Sequence, residues 1–128
     1  MGRDLIALFV AKSRGVFGTT LFLGSRAAPA DGQVVVVTDT PGLAPGFVQD
    51  RGAPAIRRPR AQVVVMGPDV VAVETLAEQL YQDVHTVAGE TVGSAHYLRM
   101  TAQEPFDLGT EEGSGRVRRG FNVQGLRT

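Results

Sequence analysis

Along residues 61–84 the hydrophobic pattern changes period once. Val63, Val64 and Val65 form a continuous β-branched run closed by Met66-Gly67-Pro68. Beyond the proline, Val70, Val73, Ala77, Leu80, Tyr81 and Val84 recur at helical spacing, with Glu74, Glu78, Gln79, Gln82 and Asp83 between them. The valine run is too short for a helix and suits a pleated, buried surface. The pattern after it is that of an amphipathic helix with one apolar stripe. A strand over 62–66, a turn and a helix to residue 84 follow, with Pro68 or Asp69 at the helix entry and Gly89 as its stop. This unit is expected to carry much of the core.

The remaining chain is placed around it. Leu5, Ile6, Leu8 and Phe9 fall within two turns, which predicts a short helix over 4–12 with Asp4 as N-cap and Gly15 as stop. Leu21-Phe22-Leu23 reads as a brief strand, and 27–32 as a connector by composition. Residues 33–38 contain four consecutive valines and no polar face, the pattern of an interior strand covered on both sides. From 39 to 60, Pro41, Pro45, Pro54 and Pro59 alternate with Gly42, Gly46 and Gly52 without periodicity, which predicts a long loop. In a strand over 96–103, Leu98, Met100 and Ala102 face one way and Tyr97, Arg99, Thr101 and Gln103 the other. Residues 104–115 read as a loop, and 116–124 as a last strand with Val117, Phe121 and Val123 on its apolar face. Arg119 falls on that apolar face too, so it snorkels, pairs with Glu111 or Glu112, or meets another subunit. The sum is an α+β fold: a mostly antiparallel β-sheet with an N-terminal helix and a central helix packed on one face.

Composition narrows the class. A chain of 128 residues reads as one domain, 1–128. Thirteen Lys and Arg balance thirteen Asp and Glu, so no net field favours nucleic acid as the main partner. The absence of cysteine excludes disulfides and thiolate zinc sites. The apolar run 5–11 is interrupted by Lys12, lacks a cleavage site and is too short to span a bilayer, which predicts a soluble protein made in the cytoplasm, with no membrane partner.

Chemistry-bearing residues do not converge. His85 and His96, with Asp83 and Glu90 nearby, would need a third ligand and a held geometry to bind metal, and ordinary capping or surface histidines are the simpler reading. Ser94 lacks a nucleophile-elbow pattern, and Gly113-Ser114-Gly115-Arg116 lacks the lysine and helix of a phosphate loop. Glu111-Glu112 lacks the alternating ligands of a calcium loop. No catalytic, cofactor or metal residue is assigned, and the chain is not expected to be an enzyme. The candidate interface residues are Arg57, Arg58 and Arg60 around Pro59, the acids Glu111 and Glu112, and the basic strand residues Arg116, Arg118 and Arg119. A solvated face is the default for the arginine triplet, a partner or phosphate contact the alternative.

The order of landmarks resembles a known family. Gly15-Val16-Phe17-Gly18, Leu21-Phe22-Leu23-Gly24 and Pro29, then the valine strand and the Pro/Gly-rich segment, Pro59, and Val63-Val64-Val65-Met66-Gly67 with Asp69 and its helix, are similar to the layout of phage minor capsid or tail terminator proteins. Gly115-Arg116 and Gly120-Phe121-Asn122-Val123 continue it, so the likeness covers nearly the whole chain. Thr40-Pro41-Gly42 stands where that family often has paired glycines, and Thr110-Glu111 where an Asp is common. The resemblance implies a structural virion protein of the neck of a long-tailed phage. Its copies would form a ring, a hexamer, that caps the tail tube, stops polymerisation and meets the head connector, with DNA only passing through the lumen. The segment 39–60 and the hairpin 109–115 are then the docking candidates. A head–tail adaptor or tail completion protein is the alternative within the same system. From other classes come a small cytoplasmic ligand-binding domain, which needs a pocket with convergent polar groups, and a nucleic-acid module using the arginines.

Overall fold

In the computed structural model, residues 1–24, 28–29, 31–47 and 54–128 are described, with backbone only for 42–47 and 54–55. The period change read in the sequence is where β3 (Pro54–Gly67) gives way to α2 (Val70–His85). Asp69 caps the helix, its side chain accepting from the amides of Val71 at 3.0 Å and Ala72 at 3.4 Å. The other end is closed by Thr86, whose hydroxyl donates to the Asp83 carbonyl at 2.7 Å, so the expected stop at Gly89 is corrected: Gly89 lies inside the next strand, β4 (Ala88–Val92).

Helix α1 (Gly2–Ala11) starts earlier than its pattern implies, with Met1 as N-cap. Asp4 therefore falls inside the first turn, and the residue, 8% exposed, turns its side chain into the protein instead of capping. The sheet adds β1 (Leu21–Leu23), β2 (Val34–Phe47), β5 (Ala95–Ala102), β6 (Phe106–Thr110) and β7 (Val117–Arg127). Its order is β1-β2-β3-β7-β5-β4, and β6 pairs with the N-terminal half of β7 beside β5. Among the described strands only β1 and β2 pair in parallel; the remaining strand pairs are antiparallel. The fold is α+β, with both helices contributing to the main core.

Alternation along the central strands explains the layering. Val35 and Val37 of β2, Ala61, Val63 and Val65 of β3, and Phe121 and Val123 of β7 point at Leu5, Phe9, Val73, Ala77, Leu80 and Val84 of the helices. Each such large apolar side chain contributes about 1.5–3 kcal/mol on burial. Val34 and Val36 point the other way, into a small second cluster with Phe22 and Met66. The valine run is thus buried on both faces.

Four further expectations need correction. Segment 39–60 is not a loop: β2 and β3 continue as an antiparallel hairpin to Phe47↔Pro54, and residues 48–53 lie outside the described part. Its prolines fall where the ladder tolerates them. Pro41 and Pro45 coincide with register shifts after Thr40 and Leu43, and Pro54 opens β3. The second correction concerns two strands without a sequence signal, β4 and β6. Both are short and almost wholly exposed, so neither shows an apolar alternation. The third lies in β5, where a register shift between Tyr97 and Arg99 breaks the period: Tyr97 and Met100 are both buried, and Leu98 is 37% exposed. Finally, β7 runs to Arg127 and does not end at Gln124. The connector expected at 27–32 is only partly described, since residues 25–27 and 30 lie outside.

Candidate interaction surfaces

Strand position decides what each arginine can do. Arg57, Arg58 and Arg60 lie in β3 and are exposed. Arg57 stands opposite Arg127, the last registered pair between β3 and β7, and beyond it only β2 accompanies β3. The triplet therefore sits where the sheet narrows to a two-stranded arm. Alternation puts Arg58 and Arg60 on the face away from the helices, the face of Gln62 and Met66. There Arg60 borders a shallow depression with Thr101, Gln103, Asn122 and Gln124, in which Asn122 donates to Gln103 at 3.3 Å.

The second candidate group divides. Arg116 is 4% exposed and its guanidinium is engaged internally: Nε and Nη2 donate to Glu111 Oε1 at 2.9 and 2.7 Å, and Nη1 to the Gly32 carbonyl at 3.3 Å. Ser114 donates to the same carboxylate. These bonds, Ser114 first, hold the Glu111 carboxyl below its ordinary range. The turn 111–116 is thus a locked clasp, with Glu112 exposed on its outside. Arg118 donates to the Leu108 carbonyl at 2.9 Å, while its Nε is buried without a partner among the described residues. Arg119 resolves the puzzle of a cation on an apolar face. It lies opposite Val65, donates to the Pro105 carbonyl at 3.1 Å and comes within 4.0 Å of Glu74 on α2, not of Glu111 or Glu112.

The residues weighed for catalysis and metal binding are placed apart. Asp83, 5% exposed, accepts a two-pronged ion pair from Arg14 at 2.8 and 3.1 Å, which raises the arginine's pKa chiefly through that hydrogen bond. His85 stacks edge-on against Tyr81 with ring centroids 4.6 Å apart, and His96 is exposed on β5 opposite Thr91. Ser94 gives its amide to Asp4 at 3.2 Å. Among the described residues no three His, Asp or Glu side chains converge as a metal site.

A surface that sequence reasoning missed lies on the outer side of α1. Ile6, Ala7, Val10 and Ala11 line a groove of about 460 Å³ with Phe17, Leu23 and Arg3. Val10 is 45% and Phe17 58% exposed. The only sequence signal was an aromatic residue inside the glycine-flanked turn 15–18, which has no period to read.

No family model matches the chain, and no curated protein matches it. Among solved structures, a chain from the virion of a native gene transfer agent particle has a similar fold. It is 12% identical, with a TM-score of 0.56 over 98% of this chain and 89% of that one.

Proposed function

We propose that this protein is a structural component of a phage-type virion, a tail terminator whose copies close into a ring at the neck. One observation carries the reading: a chain of a virion particle matches its fold over nearly the full length of both. The order of sequence landmarks supports the terminator assignment in particular, and the surfaces fit a role in assembly. Several polar and charged side chains form internal ties, Arg14–Asp83, Asp4–Tyr97 and Arg116–Glu111, that stiffen the subunit. The proposal includes no chemical step and no cofactor.

The mechanism is one of repeated weak contacts. A closed ring presents each docking patch once per copy, so contacts weak singly become avid together. In the proposal the arms, with Arg57, Arg58 and Arg60 at their base, project from the ring toward the tail tube or the head connector, and the exposed Glu112 side of the 111–116 clasp meets the other. DNA passes through the lumen without being bound. Mass measurement of the purified protein, followed by electron microscopy with tail tubes, tests this. Rings, hexamers by the resemblance, seated on tube ends are expected; a monomer that never caps tubes sinks the reading. Rings that join filled heads and ignore tubes would favour the adaptor role.

A further inference from the structure

Large apolar side chains left exposed among the described residues are not scattered evenly. Five of the seven fall into two places: Val10, Val16 and Phe17 beside the outer face of α1, and Val70 and Val71 at the start of α2. Val71 is 70% exposed and Phe17 58%. Solvent-facing residues at these levels, grouped and rimmed by charge, mark a contact surface more often than single exposed residues do.

The two places carry opposite charge. Arg3 lines the α1 groove and Lys12 lies just past the helix end, both exposed, while the acid near Leu23, Asp39, is held by the Gly2 amide at 2.6 Å and the N-terminal amine at 3.3 Å. The acid of this helix, Asp4, is turned inward to Tyr97 and Ser94. Helix α2 contains no Lys or Arg. Its exposed side follows helical spacing, Val71, Glu74, Thr75, Glu78 and Gln82, and Gln82 donates to Glu78 at 3.0 Å along it. Glu74 is only loosely held by Arg119, at 4.0 Å. An apolar groove with a basic rim and an apolar helix face with acidic residues are therefore present on one chain, and neither covers the other within it.

Resting on the ring reading above, we propose that these surfaces join neighbouring copies: the α2 face of one copy, Val71 with Glu74 and Glu78, seats on the α1 groove of the next. Because the two patches differ, the contact is head-to-tail. An open chain of copies keeps one unused patch of each kind, one at either end, until the ring closes. Val71 and Phe17 would supply apolar burial, while Arg3 and Lys12 facing Glu74 and Glu78 would set the register and disfavour like-with-like pairing.

The chain has no cysteine, which gives a direct test. Two single variants of the full chain, Ala11→Cys in the groove and Thr75→Cys on the helix face, are mixed and treated with a short bis-maleimide, and sedimentation reports the size of the unmodified protein. The expected product is a cross-link between the two variants, with the mixed species at least about tenfold over either like-with-like product, because like charges meet in the latter. Reversal at Glu78 (Glu78→Arg) should weaken association by about tenfold, and Arg3→Glu in the same chain should restore it in part. An oligomer whose cross-links join groove to groove, or face to face, or that lacks cross-links altogether, overturns this surface assignment and leaves the ring reading standing. Absence of both oligomer and cross-link, in solution and on tail-tube ends alike, overturns the two together. Cross-linking of the groove cysteine to a different polypeptide in assembled particles, with none to the second copy, would assign the groove to that partner instead.

Discussion

Tyr97 donates its hydroxyl to Asp4 at 2.7 Å, linking the first turn of α1 to β5 inside the main core. Burial, then the hydrogen bond and the charge of Asp4, push the tyrosine pKa well above its ordinary value, with Arg127 opposing. The sign follows. A group whose folded pKa is raised contributes fully below its unfolded value, about 10, and loses that contribution as pH rises through the folded value. Tyr97→Phe should cost about 1–2 kcal/mol at neutral pH. The gap between wild type and variant in urea denaturation should then narrow above about pH 10, as wild type begins to bear the cost of ionisation. A gap that stays constant would show that the hydroxyl bond contributes nothing pH-dependent. Asp4→Ala strands both the Tyr97 hydroxyl and the Ser94 amide, and should cost more, about 2–4 kcal/mol. Gly93 belongs to the same joint. Its φ of +61° is costly for other residues, and a Cβ there would collide with Asp4 Oδ1. None of this was legible in the sequence, where Asp4 reads as an N-cap and Tyr97 as a polar-face residue. Helix capping and strand alternation are local rules, and a hydrogen bond between residues 4 and 97 obeys neither.

Among the elements, β5 separates what periodicity can give from what it cannot. Strict alternation puts Leu98 and Met100 on one face; the shift between Tyr97 and Arg99 undoes that, burying Met100 to 1% and leaving Leu98 out. Met100→Ala should cost about 2–4 kcal/mol and Leu98→Ala under about 1 kcal/mol, read from the denaturation midpoint at unchanged slope. Equal costs would restore the simple alternation. The clasp 111–116 makes a second element-scale claim. Arg116 has a side chain 5% exposed, while Glu111 keeps 29%, so Arg116→Ala leaves a carboxylate that water still reaches. Its cost should be about 2 kcal/mol, below that of breaking a fully buried pair. Since Ser114 and Arg116 depress the Glu111 pKa, the clasp is whole above the ordinary carboxylate range, and its contribution is lost as pH falls through the folded value. Amide protection of residues 111–116, relative to the intrinsic exchange rate at each pH, should persist through mild acid and fall only below the ordinary carboxylate range, and Glu111→Gln should flatten that pH dependence. Elements with a buried face, β2, β3, both helices and β7, were readable because burial imposes a period. The edge strands β4 and β6 and the proline-bearing arm were not, since their order comes from backbone pairing alone, which any side chain with a free N–H satisfies.

For the whole molecule, the sheet supplies a rigid body and the proposed functions divide over separate parts of it: copy-to-copy contact at the α1 groove and α2 face, docking at the arm. The three arginines are exposed at the far end of the β3–β7 ladder, Arg57 opposite Arg127 and Arg60 opposite Gln124, so changing them should leave folding and ring closure alone. Replacing Arg57, Arg58 and Arg60 together by alanine is expected to shift stability by no more than about 0.5 kcal/mol, the usual range for exposed residues. Ring size by sedimentation should be unchanged. Docking should weaken, because three charges per copy are lost from every arm of a ring, and avidity multiplies a small loss per arm. The same docking step in wild type should weaken with salt, exposed charges being screened beyond about 8–10 Å at physiological ionic strength, and the triple variant should show a shallower salt dependence. A triple variant that caps tubes as wild type does would take the arm out of docking and return its arginines to a solvated face. One that fails to form rings would mean that arm and subunit interface are a single surface, against the division made here.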